Sequence, residues 1–344
     1  MQADPSTTLP AVESPAIADR GHRVIARDES LDTIHGLMIL CVITSHIFML
    51  SYTDIPKVIS VTLSLLNFTL GWLIFKSGMF YKPRPMKEVI DKGIRRFVIP
   101  FVIFSLIGES LMYIRYFSEE PTVAGAIIKG IKEASIALFA GGSLPGNLPL
   151  WFLLSLFGAK IIFSYCMNHR NYWLLACVLI VAPLDYISGL KLPYYLANTS
   201  SALAFYAMGY LLRDFKPRSH LTVILLTGLW LAIAIFMPTG IDMRNNACST
   251  GNYFLWYPTT LVAILAINTL FRRYRITIRP MSHIGRNSMT YYVMHWPVIL
   301  LVWHMWFLDT PHGTPWVAAV TLASLLLLPA CNYLIRRSPI GKYV

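Results

Sequence analysis

LDTIHGLMILCVITSHIF, residues 31 to 48, decides how this chain is read. The stretch is apolar enough to sit in lipid, yet it carries two histidines, His35 and His46. Ionisable side chains are costly at bilayer depth and mark sites when they occur there. On one helix, eleven positions make three turns, so the two rings share a face roughly 16 Å apart. They are too far apart to touch, but they suit the two ends of one elongated ligand.

The rest of the chain has the same character. Of its 344 residues 56% are hydrophobic and 13% charged, with a mean hydropathy of +0.56. A soluble domain of this size carries about twice that charged fraction. Apolar runs long enough to cross a bilayer as helices recur throughout. The expected fold class is all-α, a polytopic transmembrane helix bundle. Its spans fall at roughly 31–52, 58–80, 96–117, 148–166, 172–188, 194–212, 219–237, 253–271, 287–308 and 314–335. Residues 1–30 are polar and rich in Pro, Ser and Ala, with no apolar core. They read as a disordered cytoplasmic tail rather than a cleavable signal. Residues 336–344 form a short second tail. Five cysteines show no metal-ligand spacing and imply no disulfide.

The formal net charge is +12. With the N-terminus inside, about 23 of the 29 basic residues fall on inner loops. The bias predicts N-in and C-in, and so an even number of spans. It also ties the charge to topology, with no nucleic-acid partner implied. The long outer loop 118–147 contains VAGAIIKGIKEASIALF (123–139), which reads as an amphipathic helix on the outer surface or over a cavity. GGSLPGNLP (141–149) breaks it before the next span.

His295, about nine residues into the ninth span, lies close to mid-bilayer, and Glu109 is deep in the third. Imidazoles in a water-accessible core suggest proton chemistry or proton transport.

From here the sequence resembles the acyltransferase-3 family of integral membrane acyltransferases, its sugar O-acetyltransferase-like branch in particular. The family's first helix carries Arg or Lys, ten residues, then His. Here His46 matches that histidine, and His35 stands where the basic residue is usual, with Gly36 following. FKSGMFY (75–81) resembles the Ser-Gly near the end of helix two. KGIRRFVIPF (92–101) resembles the basic opening of helix three. LPLWFLLSLF (148–157), FYAMGYLLR (205–213) and IGRNSMTYYVMHWPV (284–298) resemble later family segments, the last placing His295.

The resemblance, which covers about 31 to 335, implies an acyl-CoA donor, acetyl-CoA most often, and a hydroxyl acceptor on a carbohydrate or lipid-linked glycan. It implies no metal. His46 is the expected general base, with His295 as acid, oxyanion donor or orienting partner. Lys92, Arg95 and Arg96 are expected to bind the CoA phosphates, because guanidinium forks suit phosphate. His35, Glu109, Trp151 and Asn287 are the expected substrate-binding residues. The branch points to a bacterial inner membrane. A proton-coupled transporter of small molecules or lipid-linked sugars is the competing reading.

Overall fold

The computed structural model describes residues 27–51, 62–63, 65–190, 192–216, 219–306 and 314–344. Of the tail expected over 1–30, residues 1–26 lie outside the described residues, and Glu29 and Ser30 already belong to the first helix. Residues 52–61, which include the expected start of the second span, also lie outside them, as do 307–313.

The chain is an all-α bundle. Helix α1 (Glu29–Ser51) starts where the Asp28 carboxylate accepts the Ser30 backbone N–H at 3.2 Å, the usual way an aspartate caps a first turn. The Arg272 guanidinium donates to the same carboxylate at 3.0 Å. Next come α2 (Thr69–Met79) and a continuous helical run. That run is α3 (Met86–Gly93), a π-turn over Ile94–Val98 and α4 (Ile99–Glu119). The expected outer-loop helix is present as α5 (Val123–Gly141), capped by the Thr122 hydroxyl and closed by Gly142 in the left-handed region. A 3-10 segment (Pro145–Leu150) leads into α6 (Trp151–His169), then α7 (Tyr172–Leu179), α8 (Val181–Ser188), α9 (Tyr194–Leu211) and α10 (His220–Phe236). A two-stranded antiparallel hairpin (Gly240–Asp242 with Ala247–Thr250) precedes α11 (Tyr253–Arg273), α12 (Arg279–Arg286), α13 (Ser288–Trp306) and α14 (Thr314–Arg337).

Among the described residues, five segments are long and apolar enough to cross a membrane: Glu29–Leu50, Met86–Glu119, Val123–His169, Tyr253–Arg273 and Val317–Arg337. Large apolar side chains stand on the outside of the bundle, with Trp173 85% and Phe236 81% exposed. Such a surface suits lipid rather than water.

The fifth expected span is two helices because of Pro183. A proline cannot donate to the carbonyl four residues back, which leaves Leu179 without its helical partner. Ser200 on α9 fills the gap: its hydroxyl donates to the Leu179 carbonyl at 3.2 Å and accepts the Ala182 N–H at 3.1 Å. Beyond it, Asp185 accepts the Leu192 N–H at 2.7 Å and the Asn246 amide at 2.9 Å, which pins the hairpin to α8.

Helices α1 and α12 cross at backbone contact. A Cβ on Gly36 would overlap the Met281 carbonyl, and one on Gly285 would overlap the Asp32 carbonyl. Each helix thus offers a glycine to the other's backbone, the close approach that small residues permit between membrane helices. Gly285→Ala is expected to lower stability by at least about 1–3 kcal/mol through overpacking. Gly228→Ala, where no atom lies within 4 Å, is expected to be silent. Thermal melting of the two variants in detergent checks both.

Candidate active site

The crossing of α1 with α12 and α13 brings together two histidines that are 249 positions apart in the chain. His46 Nδ1 and His295 Nε2 are 3.1 Å apart, and the rings stack with centroids 5.1 Å apart. His295 is fully buried. Its other nitrogen, Nδ1, faces the Tyr292 carbonyl within hydrogen-bond reach.

These partners fix the proton positions. A carbonyl only accepts, so His295 Nδ1 carries a hydrogen and a neutral His295 presents a lone pair at Nε2. The proton between the rings therefore sits on His46 Nδ1. That leaves His46 Nε2 as a lone pair, the form a general base requires. Trp296 touches the His46 ring edge-on at 5.4 Å, and its buried indole N–H has no acceptor among the described residues.

Pro297 explains how this corner is held. It removes the donor that the Val293 carbonyl would use inside α13. Asn147, from the 3-10 segment, supplies the donor instead: its amide bonds the Val293 carbonyl at 2.9 Å and the Phe104 carbonyl at 3.2 Å. The Tyr292 hydroxyl donates to the Pro149 carbonyl. The 145–150 segment is thereby tied to α13 at two adjacent residues, Tyr292 and Val293, just before His295.

A cavity of about 1150 Å³ opens on one end of the bundle. Twelve Lys and Arg side chains line it against three aspartates, so its field strongly favours an anion. His35, Lys92, Arg95 and Arg96 are all lining residues. Arg95 and Arg96 sit in the π-turn, a local widening that is frequent at functional sites. His46 and His295 are not in the lining. Tyr292, whose ring lies 5.6 Å from His295, and Phe152, 5.5 Å from Tyr292, stand between the cavity and the pair.

The remaining candidates lie elsewhere. Glu109 is buried outside the cavity lining, with one oxygen accepting the Gly146 N–H at 3.1 Å and the other without a partner among the described residues. The Asn287 amide donates to the His283 carbonyl at 2.8 Å, near the end of α12. Trp151 packs edge-on against Phe152 at the start of α6. Neither Trp151 nor Asn287 is in the lining.

Four residues in or beside the site were passed over in the sequence: Lys76, Asn147, Tyr292 and Trp296. Pro297 was the available signal for Asn147, because a proline in a membrane helix leaves a carbonyl that something must satisfy. Lys76 had a signal too, as a cation inside an expected span.

A family model described as "Acyltransferase domain" matches residues 28–334. No curated protein matches the chain, and no solved structure does.

Asn147→Leu strands the Val293 carbonyl in a dry interior. The expected loss is about 1–3 kcal/mol of stability. Thermal melting against wild type measures it.

Proposed function

We propose, on the footing that this chain belongs to the acyltransferase domain family, that it is an integral membrane O-acyltransferase using an acyl-CoA, acetyl-CoA first, to acylate a hydroxyl of a carbohydrate or cell-envelope glycan. The basic end of the bundle is then the cytoplasmic end, N-in and C-in, and the membrane is a bacterial inner membrane. The observation that carries the reading is the His46–His295 contact at 3.1 Å with His295 Nδ1 against the Tyr292 carbonyl, an arrangement that suits a proton on His46 Nδ1 and a lone pair on His46 Nε2.

The reaction runs as follows. The acceptor hydroxyl gives its proton to His46 Nε2 as its oxygen bonds to the thioester carbon. The tetrahedral oxyanion collapses, the carbon–sulfur bond breaks, and the leaving thiolate takes the proton back from His46. The products are an ester and the free thiol of CoA. His295 accepts the His46 Nδ1–H throughout, and that bond strengthens once His46 is cationic. This arrangement resembles the role of the carboxylate in a Ser-His-Asp triad, with a neutral ring in its place. The Trp296 ring lies edge-on to His46, and its indole N–H has the polarity that a developing oxyanion needs. Lys92, Arg95 and Arg96 are the residues we assign to the CoA phosphates.

For the acyl group to reach His46, the Tyr292–Phe152 contact must open, or the arm of the donor must pass beside it. This makes the donor cavity and the chemical centre two compartments with an aromatic boundary.

His46→Ala is expected to lose acyl transfer by at least about 10²–10⁴-fold, the usual contribution of a general base, with folding intact. A fully active His46→Ala removes the assigned role. Acetyl-CoA is expected to raise the melting temperature in a dose-dependent way, and an Arg95→Ala/Arg96→Ala double variant to respond weakly. A well-folded wild-type protein that ignores acetyl-CoA, CoA and succinyl-CoA alike overturns the donor reading.

A further inference from the structure

Lys76 is a lysine on an apolar helix, its side chain only 16% exposed, and it lines the basic cavity. Its ammonium lies 2.9 Å from His35 Nδ1. An ammonium has three donors and no acceptor, so His35 accepts and its own hydrogen is on Nε2. While Lys76 is charged, His35 is neutral. The charge at this depth of α1 therefore belongs to Lys76, contributed from α2, and His35 serves as its hydrogen-bond support.

That charge is poorly compensated. Among the described residues, the carboxylate within reach, Asp32, is 3.9 Å away. Arg27 already holds that carboxylate with two bonds, at 2.5 and 3.0 Å, so Lys76 only shares it. Several other cavity cations have an acid of their own: Lys92 has Glu88, Arg213 has Asp214 and Arg272 has Asp28. A shielded cation whose carboxylate is distant and shared is costly, and an arriving anion relieves the cost. The Lys76–His35 unit also lies about three helical turns, roughly 16 Å, from His46 along α1. An extended pantetheine arm spans such a separation between its phosphate and its thioester.

We propose that Lys76, oriented by His35, is the cation that holds the innermost phosphate of the donor and sets how far the thioester reaches toward His46. The inference rests on the donor reading above and adds to it a residue outside the Lys92–Arg96 group.

The test compares two probes on the purified full chain. One is acetyl-CoA; the other is S-acetylpantetheine, which keeps the thioester and arm but has no phosphate. Lys76→Met is expected to weaken acetyl-CoA binding and raise its KM about tenfold to hundredfold, the range for a hydrogen bond to a charged group, with kcat within about threefold. S-acetylpantetheine binding should be unchanged. The double variant His35→Arg/Lys76→Met moves the charge onto α1 and is expected to recover most of the acetyl-CoA affinity.

Equal loss of both probes in Lys76→Met makes Lys76 a packing residue and overturns the inference. So does acetyl-CoA affinity equal to wild type. If Lys76→Met does not fold, Lys76→Gln is read in the same way, since it keeps a long polar side chain without the charge. A folded wild-type protein that binds neither probe overturns the donor reading itself, a result separate from any outcome in the variants.

Discussion

The contact between Gly36 and the Met281 carbonyl, answered by Gly285 against the Asp32 carbonyl, sets the register of the whole site. Lipid offers no hydrophobic drive to bring helices together, so close backbone packing must supply the association. Here it fixes α1 against α12 at one depth. The short turn from α12 into α13 then fixes the depth of His295. Nine residues of α1 lie between Gly36 and His46, and nine residues of chain lie between Gly285 and His295. The two histidines meet because both are measured from the same crossing.

Prolines shape the structure in the opposite way, by removing bonds. Pro183 and Pro297 each leave a carbonyl without its helical partner, and each carbonyl draws in a side chain from another element, Ser200 in one case and Asn147 in the other. In water such carbonyls would be solvated at little cost. In a membrane they must be satisfied by protein, so each proline specifies a tertiary contact as well as a bend. One of these contacts braces α13 four residues before the proline and two before the catalytic candidate.

The architecture was largely legible in the sequence because lipid imposes a simple rule on composition. Apolar runs of the right length announced the helices, and the outer-loop helix was visible from its spacing. The two histidines stood out because polar groups are rare in such runs. Their direct contact was not readable, since no local pattern encodes a pairing across 249 positions. Lys76 was overlooked because it sits near the expected end of a span, where a lysine is usually just an interfacial anchor. Its meaning came from His35 and Asp32 on another helix. Trp151 and Asn287 carried family-like motifs, and their contacts are local, Trp151 against Phe152 and Asn287 to the His283 carbonyl. The split at Pro183 shows the limit of hydropathy, which reports that a segment is apolar but not where its hydrogen bonds are broken.

The π-turn over Ile94–Val98 carries a consequence for how this chain can vary. A π-turn holds one residue more than the α-helical turn it replaces. It is in effect a one-residue insertion tolerated inside a helix, and it offsets the faces of α3 and α4 by about a third of a turn relative to an unbroken helix. Removing a single residue there would restore regular helix. It would also swing the helix that carries Lys92 around its axis relative to Gly108 and the core below it, redirecting the arginines without changing any of them. In this region, length is as informative as identity: two chains with the same arginines but a one-residue gap between them would present different electrostatic mouths.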